Sequence, residues 1–223
     1  MATQRSSTRS GASSSASEPL KLTLWAAGLR RAGPPPFREA GIGLEELDAA
    51  SAGDLVAAMG EEGDLVALRL ARGCRCFALR RDGEVASYGW LSSGPEWIGE
   101  LGLEIGPETG EAYVWNCVTL PKQRLRGYFR ALLLFVVAQA RRDGCHRVWI
   151  GSLEDGPGSA IAGAGFAPVL TIDVVDEPEL RELSVGAAPD ADPELLRSAR
   201  RALALGDRPL PARLTVRPPQ VRH

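Results

Sequence analysis

Residues 111–133 read EAYVWNCVTLPKQRLRGYFRALL, and the way this stretch folds decides the architecture. Its first part, Ala112–Val118, is apolar on both alternating faces, as expected of a central strand covered on both sides. Its last part opens a helix running from about Tyr128 to Arg142. There Leu132, Phe135, Val136 and Gln139 share one face, and Leu133, Leu134 and Val137 widen the apolar stripe. Between the two lies a basic turn in which Lys122, Arg124, Arg126 and Arg130 surround Gly127. Glycine lets the main chain approach a ligand closely, and a helix start directs unpaired N–H groups outward. Strand, basic turn and helix N-terminus together predict a cradle for phosphate groups, with a multiply anionic cofactor as the natural ligand.

Downstream, Asp143-Gly144 ends the helix and Arg147–Ser152 returns as a strand, which makes a strand–helix–strand unit with parallel pairing. A short helix over Ser159–Ala164, a strand over Val169–Val175, a helix over Pro193–Leu205 capped by Asp192, and a last strand at Arg213–Val216 follow. Upstream, Leu65–Leu70, Cys74–Arg80 and Val85–Leu91, the last after the turn Asp82-Gly83, read as an antiparallel meander, with a fourth strand over Ile98–Ile105. Leu20–Trp25 alternates like a short strand, Pro34-Pro35-Pro36 breaks the chain, and Leu44–Met59 carries a helical pattern interrupted by Gly53. The expected organisation is a disordered Ser-rich tail over 1–19, a helical lead-in over 20–63, an α/β core over 64–175, and a C-terminal extension with one helix over 176–223.

At 223 residues, 44% hydrophobic and 24% charged, the chain suits one well-packed domain with appendages. The net charge of −2 gives no overall pull toward nucleic acid or acidic membranes. No apolar run is long enough to span a bilayer and no secretory h-region opens the chain, so a cytoplasmic location is expected. The Arg- and Ser-rich start shares the composition of an organellar transit peptide, but no amphipathic apolar face follows it. Cys74, Cys76, Cys117 and Cys145 lack zinc spacing and read as reduced, buried thiols. Only His146 and His223 occur, and GxSxG, HExxH, GxxxxGK[ST] and GxGxxG are absent. Serine-hydrolase, metallohydrolase, nucleotide-hydrolase and dinucleotide-dependent chemistries therefore lack their usual parts.

The turn and what surrounds it resemble the GCN5-related N-acetyltransferase superfamily. That family places a Gln or Arg, two residues, Gly, one residue and a Gly or Ala between a central strand and a long helix. Arg124 and Gly127 match, Phe129 stands at the small position, and Pro121 precedes Arg124 by three residues, as in many members. A second stretch, HRVWIGSLEDGPGSAIAGAGFAPV, resembles the family's later motif and ends in Gly165-Phe166. Glu154 or Asp155 stands where an Asn is usual, and Ile161 where many members carry a tyrosine.

The resemblance implies a mixed sheet with an antiparallel N-terminal meander and a central parallel unit. It also implies an N-acetyltransferase moving an acetyl or acyl group from acetyl-CoA, or another acyl-CoA, to a primary amine of a small molecule or peptide. On that reading Arg124, Leu125, Arg126, Gly127, Tyr128 and Phe129 hold the pyrophosphate, and main-chain groups of Cys117, Val118 and Thr119 pair with the pantetheine arm. A carboxylate is the expected base. Glu111, Glu100 and Glu104 are candidates, and Tyr113 falls near where some members put theirs. Strand parity puts Glu111, Tyr113 and Cys117 on one face. The alternatives are a catalytically silent acyl-CoA sensor and a partner-binding protein without affinity for CoA. Neither nucleic acid nor membrane is an expected partner, and homodimerisation is left open.

Overall fold

The computed structural model describes residues 20–30, 39–176 and 180–216. The expected tail over 1–19 and the Pro34-Pro35-Pro36 break lie outside the described residues. The elements are β1 (Leu20–Gly28), β2 (Ile42–Leu47), α1 (Gly53–Met59), α2 (Val66–Ala71), β3 (Arg75–Arg81), β4 (Glu84–Ser92), β5 (Glu96–Ile98), β6 (Leu103–Ile105) and β7 (Glu111–Thr119). They continue with α3 (Tyr128–Arg142), β8 (Arg147–Leu153), α4 (Gly158–Gly163), β9 (Ala167–Asp176), β10 (Arg181–Ala187), α5 (Pro193–Ala202) and β11 (Ala212–Val216). Nine strands form one sheet in the order β11-β10-β9-β1-β8-β7-β4-β3-β2, and β5 and β6 make a separate hairpin. Every neighbouring pair in the large sheet is antiparallel except β7 and β8, the parallel unit expected on either side of the long helix. Among the described residues no helix is long and apolar enough to cross a membrane.

The sheet divides the apolar residues between two faces. On one, α3 buries Ala131, Leu132, Leu133, Val136, Val137 and Ala140 against Phe77, Leu79, Val114, Val148 and Ile150, with Ile161 and Phe166 closing the end. Each fully buried Leu or Val contributes about 1.5–3 kcal/mol, which makes this helix the main organiser of that face. The opposite face carries two clusters. One packs α1 and α2 on β3 and β4 around Leu55, Cys76, Tyr88 and Trp90. The other packs the β5–β6 hairpin and α5 on β1, β8, β9 and β10 around Leu101, Ile105, Trp149 and Ala199. Trp115 on β7 sits at the fringe of both.

Several segments differ from expectation. The strand expected at Leu20–Trp25 is present as β1, which inserts between β8 and β9 in the sheet, whereas residues 42–47, within the expected helical lead-in, are a strand. Leu65–Leu70 is helical rather than a strand, because the apolar residues Val66 and Leu70 sit a helical turn apart and Leu65 and Leu68 face solvent. Ile98–Ile105 splits into the β5–β6 hairpin at Gly102, whose φ is +65°. The C-terminal segment adds β10 and β11 to the main sheet beside its one helix. The Asp192 side chain caps that helix by accepting from the amides of Glu194 and Leu195, at 2.7 and 3.2 Å.

Candidate active site

β7 and β8 are hydrogen-bonded from Glu111↔Arg147 to Val114↔Ile150, and beyond that pair they separate. The parting coincides with a bulge. Asn116 has a φ of +44°, and the step from Trp90 to Tyr88 on β4 spans Trp115 to Val118 on β7, one residue more. Gly89 faces this irregularity, and a Cβ there would stand 2.5 Å from Cys117 Sγ, so only glycine leaves room for the thiol. The bulge also breaks the parity expected from the sequence. Cys117 packs with Val114 and Leu132 on the α3 face, whereas Tyr113 belongs to the opposite cluster, so the expected common face does not exist.

A cavity of about 830 Å³ occupies the split. Tyr113, Val114, Trp115, Asn116 and Cys117 line it from β7, and Ile150, Gly151, Ser152 and Leu153 from β8. Phe129 enters from the start of α3, while Trp97, Gly99 and Glu100 enter from the hairpin on the other face, and Glu62 from the turn before α2. The opening therefore reaches both sides of the sheet through the gap that the strands leave.

The basic turn lies at the α3 side of this gap. Leu125 and Gly127 both adopt left-handed backbone, with φ of +63° and +79°. Among the described residues nothing lies within 4 Å of where a Cβ on Gly127 would stand, which leaves the space before the helix end clear of them. The first turn of α3 contains no acidic residue, and no side chain caps it. Arg124 Nε donates to the Thr119 carbonyl at 3.3 Å and Arg130 Nε to the Gly163 carbonyl at 2.9 Å. Among the described residues no carboxylate pairs with Lys122, Arg124, Arg126 or Arg130. A helix N-terminus with uncompensated cations and open space in front suits a polyanion. The Tyr128 ring is buried and its hydroxyl meets Arg81, so this residue offers the turn only its main chain.

The structure does not bring Glu111 to this cavity. Its carboxylate is buried at the closed end of β7, where it accepts from Arg147 Nη1 and, at 2.7 Å, from Trp149 Nε1. Its position at the first residue of the strand, beside the first residue of β8, accounts for the correction. Tyr113 does line the cavity, but burial, reinforced by the nearby Glu100 charge, pushes its pKa further up, which removes it as a base. Glu100 lines the cavity and is exposed; its carbonyl accepts from Arg181 Nη1 at 2.8 Å, and among the described residues its carboxylate has no hydrogen-bond or ion-pair partner. Glu104, on β6, is not part of the lining. Burial pushes the Cys117 thiol up to about 12, so it stays protonated. Ile161 is fully buried in the α3 core.

Sequence reasoning missed Trp97, Trp115, Asn116 and Glu62. Glu62 accepts from Arg69 Nη2 at 2.8 Å and from Asn116 Nδ2 at 2.5 Å, which ties the turn before α2 to the bulge. Arg69 lies over the Trp115 ring, 4.8 Å from its centroid, and Trp115 Nε1 donates to Ser92 Oγ at 3.0 Å. One signal was available: an Asn, which tolerates left-handed backbone, sits inside the apolar run AYVWNCV.

A family model described as "Acetyltransferase (GNAT) family" matches residues 45–160, more than half of the chain. The chain belongs to the GNAT acetyltransferase family. Its fold is also that of solved GNAT structures. A GCN5-related N-acetyltransferase from Sphaerobacter thermophilus is 15% identical with a TM-score of 0.56, over 71% of this chain and 51% of that one. The GCN5-related glucosamine N-acetyltransferase region of a fungal multi-domain GH3 β-N-acetylglucosaminidase is 10% identical with a TM-score of 0.52, over 68% of this chain and 20% of that one. A GNAT family acetyltransferase from Brucella melitensis in complex with acetyl-CoA is 19% identical with a TM-score of 0.42, over 69% of this chain and 95% of that one. The chain spans about half the length of the first solved structures it matches. No curated protein matches it.

Proposed function

We propose that the chain transfers an acetyl or other acyl group from acyl-CoA to a primary amine of a small molecule or peptide. The observation that carries this reading is the meeting, at one end of one strand pair, of a cavity through the sheet and a basic helix N-terminus without carboxylates. The main chain of Leu125–Phe129, with Arg124, Arg126, Lys122 and Arg130, would hold the pyrophosphate. Beyond Val114 the β7 edge no longer pairs with β8, which supports pairing of an extended amide-bearing arm with main-chain groups of Cys117, Val118 and Thr119. The CoA thioester supplies the activated acyl carbon.

In the transfer, the amine nitrogen bonds to the acyl carbon as the C–S bond breaks, the amine loses a proton, and the thiolate gains one. Glu100 would take the amine's proton, directly or through water, a role supported by its position in the lining and by a carboxylate without a partner among the described residues. Tyr113, neutral throughout the working pH range, can donate a hydrogen bond but is too weak an acid to protonate the thiolate itself; the CoA thiolate, whose conjugate thiol has a pKa of about 8.5, takes that proton from water. The protonated Cys117 thiol is a poor nucleophile, so direct transfer is favoured over an acyl-enzyme. The catalytically silent sensor stands as the second reading, favoured by the apolar Ile161 and by the bulk of Phe129 in the cavity.

The test is thiol release from acetyl-CoA across amines, polyamines, amino acids and peptides. Acceptor-dependent release with at least one class supports the enzyme, and CoA binding without release across the panel supports the sensor.

A further inference from the structure

We propose that the acceptor is a cationic amine carried on an apolar or aromatic body and bearing no carboxylate. This rests on the amine-acyltransferase reading and names the substrate class of the same cavity. Its side opposite α3 is where an acceptor meets the thioester without crossing the cofactor's path, and that side is built from indoles and a carboxylate. Trp97 on the hairpin is 54% exposed, a large apolar surface left in water beside the opening. Trp115 forms another wall, its ring held by the bond to Ser92 Oγ and by Arg69 packed over it. Indole faces favour both an apolar body and a neighbouring cation.

Charge selects further. Among the described residues the lining contains Glu62 and Glu100 but no Lys, Arg or His. The Glu62 charge is already matched by Arg69 and Asn116. Among the described residues Glu100 is therefore the one lining carboxylate without a side-chain partner; the nearby Arg181, which donates to the Glu100 carbonyl at 2.8 Å, is itself paired with Asp176 at 2.6 Å. An ammonium group entering there meets an attractive partner that also accepts the proton it must lose. A carboxylate on the acceptor would meet like charge, with no cation in the lining to offset it. A second ammonium would find no second free carboxylate, so a hydrophilic diamine gains nothing over a monoamine with an apolar body.

The test is calorimetric titration of the full chain, saturated with CoA, with phenethylamine, phenylalanine and putrescine, repeated for Glu100→Gln. Glu100 is exposed and unpaired, so this variant should fold as the wild type does. The expected result is that phenethylamine binds about tenfold or more tightly than either competitor, and that Glu100→Gln weakens it about tenfold while narrowing the gap to phenylalanine. Phenylalanine or putrescine binding as tightly as phenethylamine would overturn the inference, as would undiminished phenethylamine binding in Glu100→Gln or none in the wild type. Phenethylamine that binds selectively but releases no thiol would leave this site standing and count against the acyltransferase reading instead.

Discussion

The two ends of β7 belong to one strand of nine residues and behave in opposite ways. At the first end the strand is zipped to β8, and a buried carboxylate is consumed by an arginine and an indole N–H. At the second end a bulge throws the strand away from β8, and the polar groups it exposes face a cavity and a basic turn. A carboxylate on the strand is thus no guide to catalysis by itself. The unpaired Glu100, contributed by a hairpin from another part of the chain, is better placed than the fully bonded Glu111. Packing fixes the closed end, and the proposed chemistry uses the open one.

The comparison is broken most forcefully at the closed end. Glu111→Ala should cost about 3–5 kcal/mol, because it strips the buried Arg147 cation of its nearest carboxylate, leaving only the exposed Glu194 at 3.6 Å, and leaves the Trp149 Nε1 donor unpaired. Denaturant unfolding checks the loss. In thiol-release assays at a temperature where the variant stays folded, acetyl-CoA KM should stay within about twofold of wild type, whereas a role in the chemistry would depress kcat as well.

At the open end, Gly89→Ala should cost about 1–3 kcal/mol, since its Cβ would lie 2.5 Å from Cys117 Sγ and the bulge must shift. Adding Cys117→Ala removes the colliding sulfur and should recover most of that loss. A double-mutant cycle with additive effects would show that thiol and glycine do not define the bulge together.

Alkaline titration sharpens the comparison more gently. Burial holds the Cys76 and Cys117 thiols up at about 12, against 9.0 for a free thiol. The folded state keeps these protons longer than the unfolded chain does. Their contribution is therefore complete below about pH 9 and lost as the pH rises toward 12. Unfolding free energy should fall over that window, and Cys76→Ala with Cys117→Ala should flatten the decline.

The smallest effect belongs to the turn. Leu125 is fully exposed at a φ of +63°, so Leu125→Gly relieves backbone strain while giving up no buried contact. Thermal unfolding should show a change of no more than about 1 kcal/mol, stabilising in sign.

Much of this was legible because local signals agreed. The span of α3 follows from its apolar stripe and the Asp143-Gly144 stop, and Asp192 caps α5 where a cap was expected. The parallel pair followed from strand, helix and strand in sequence. What was not legible depended on distant partners. β2 is short, and pairing with β3 makes it a strand; β1 was legible as a strand at Leu20–Trp25, but its place between β8 and β9 was not. Leu65–Leu70 carries a pattern that fits either period, and packing on β3 and β4 decides for helix. The cavity wall joins Glu62, Trp97 and Trp115, which no spacing rule connects. Parity failed along β7 because a single left-handed residue, Asn116, turns every later side chain to the other face.

The central claim is that the open end of β7 and the turn at Gly127 form an acyl-CoA site. The most direct measurement is the melting temperature of the full chain with and without saturating acetyl-CoA, alongside Gly127→Glu, which puts a negative side chain into the open space before α3. The account predicts a rise of several degrees for the wild type and none for the variant, at a stability cost of about 1 kcal/mol to the variant alone. No rise in the wild type, or an equal rise in both, would contradict it.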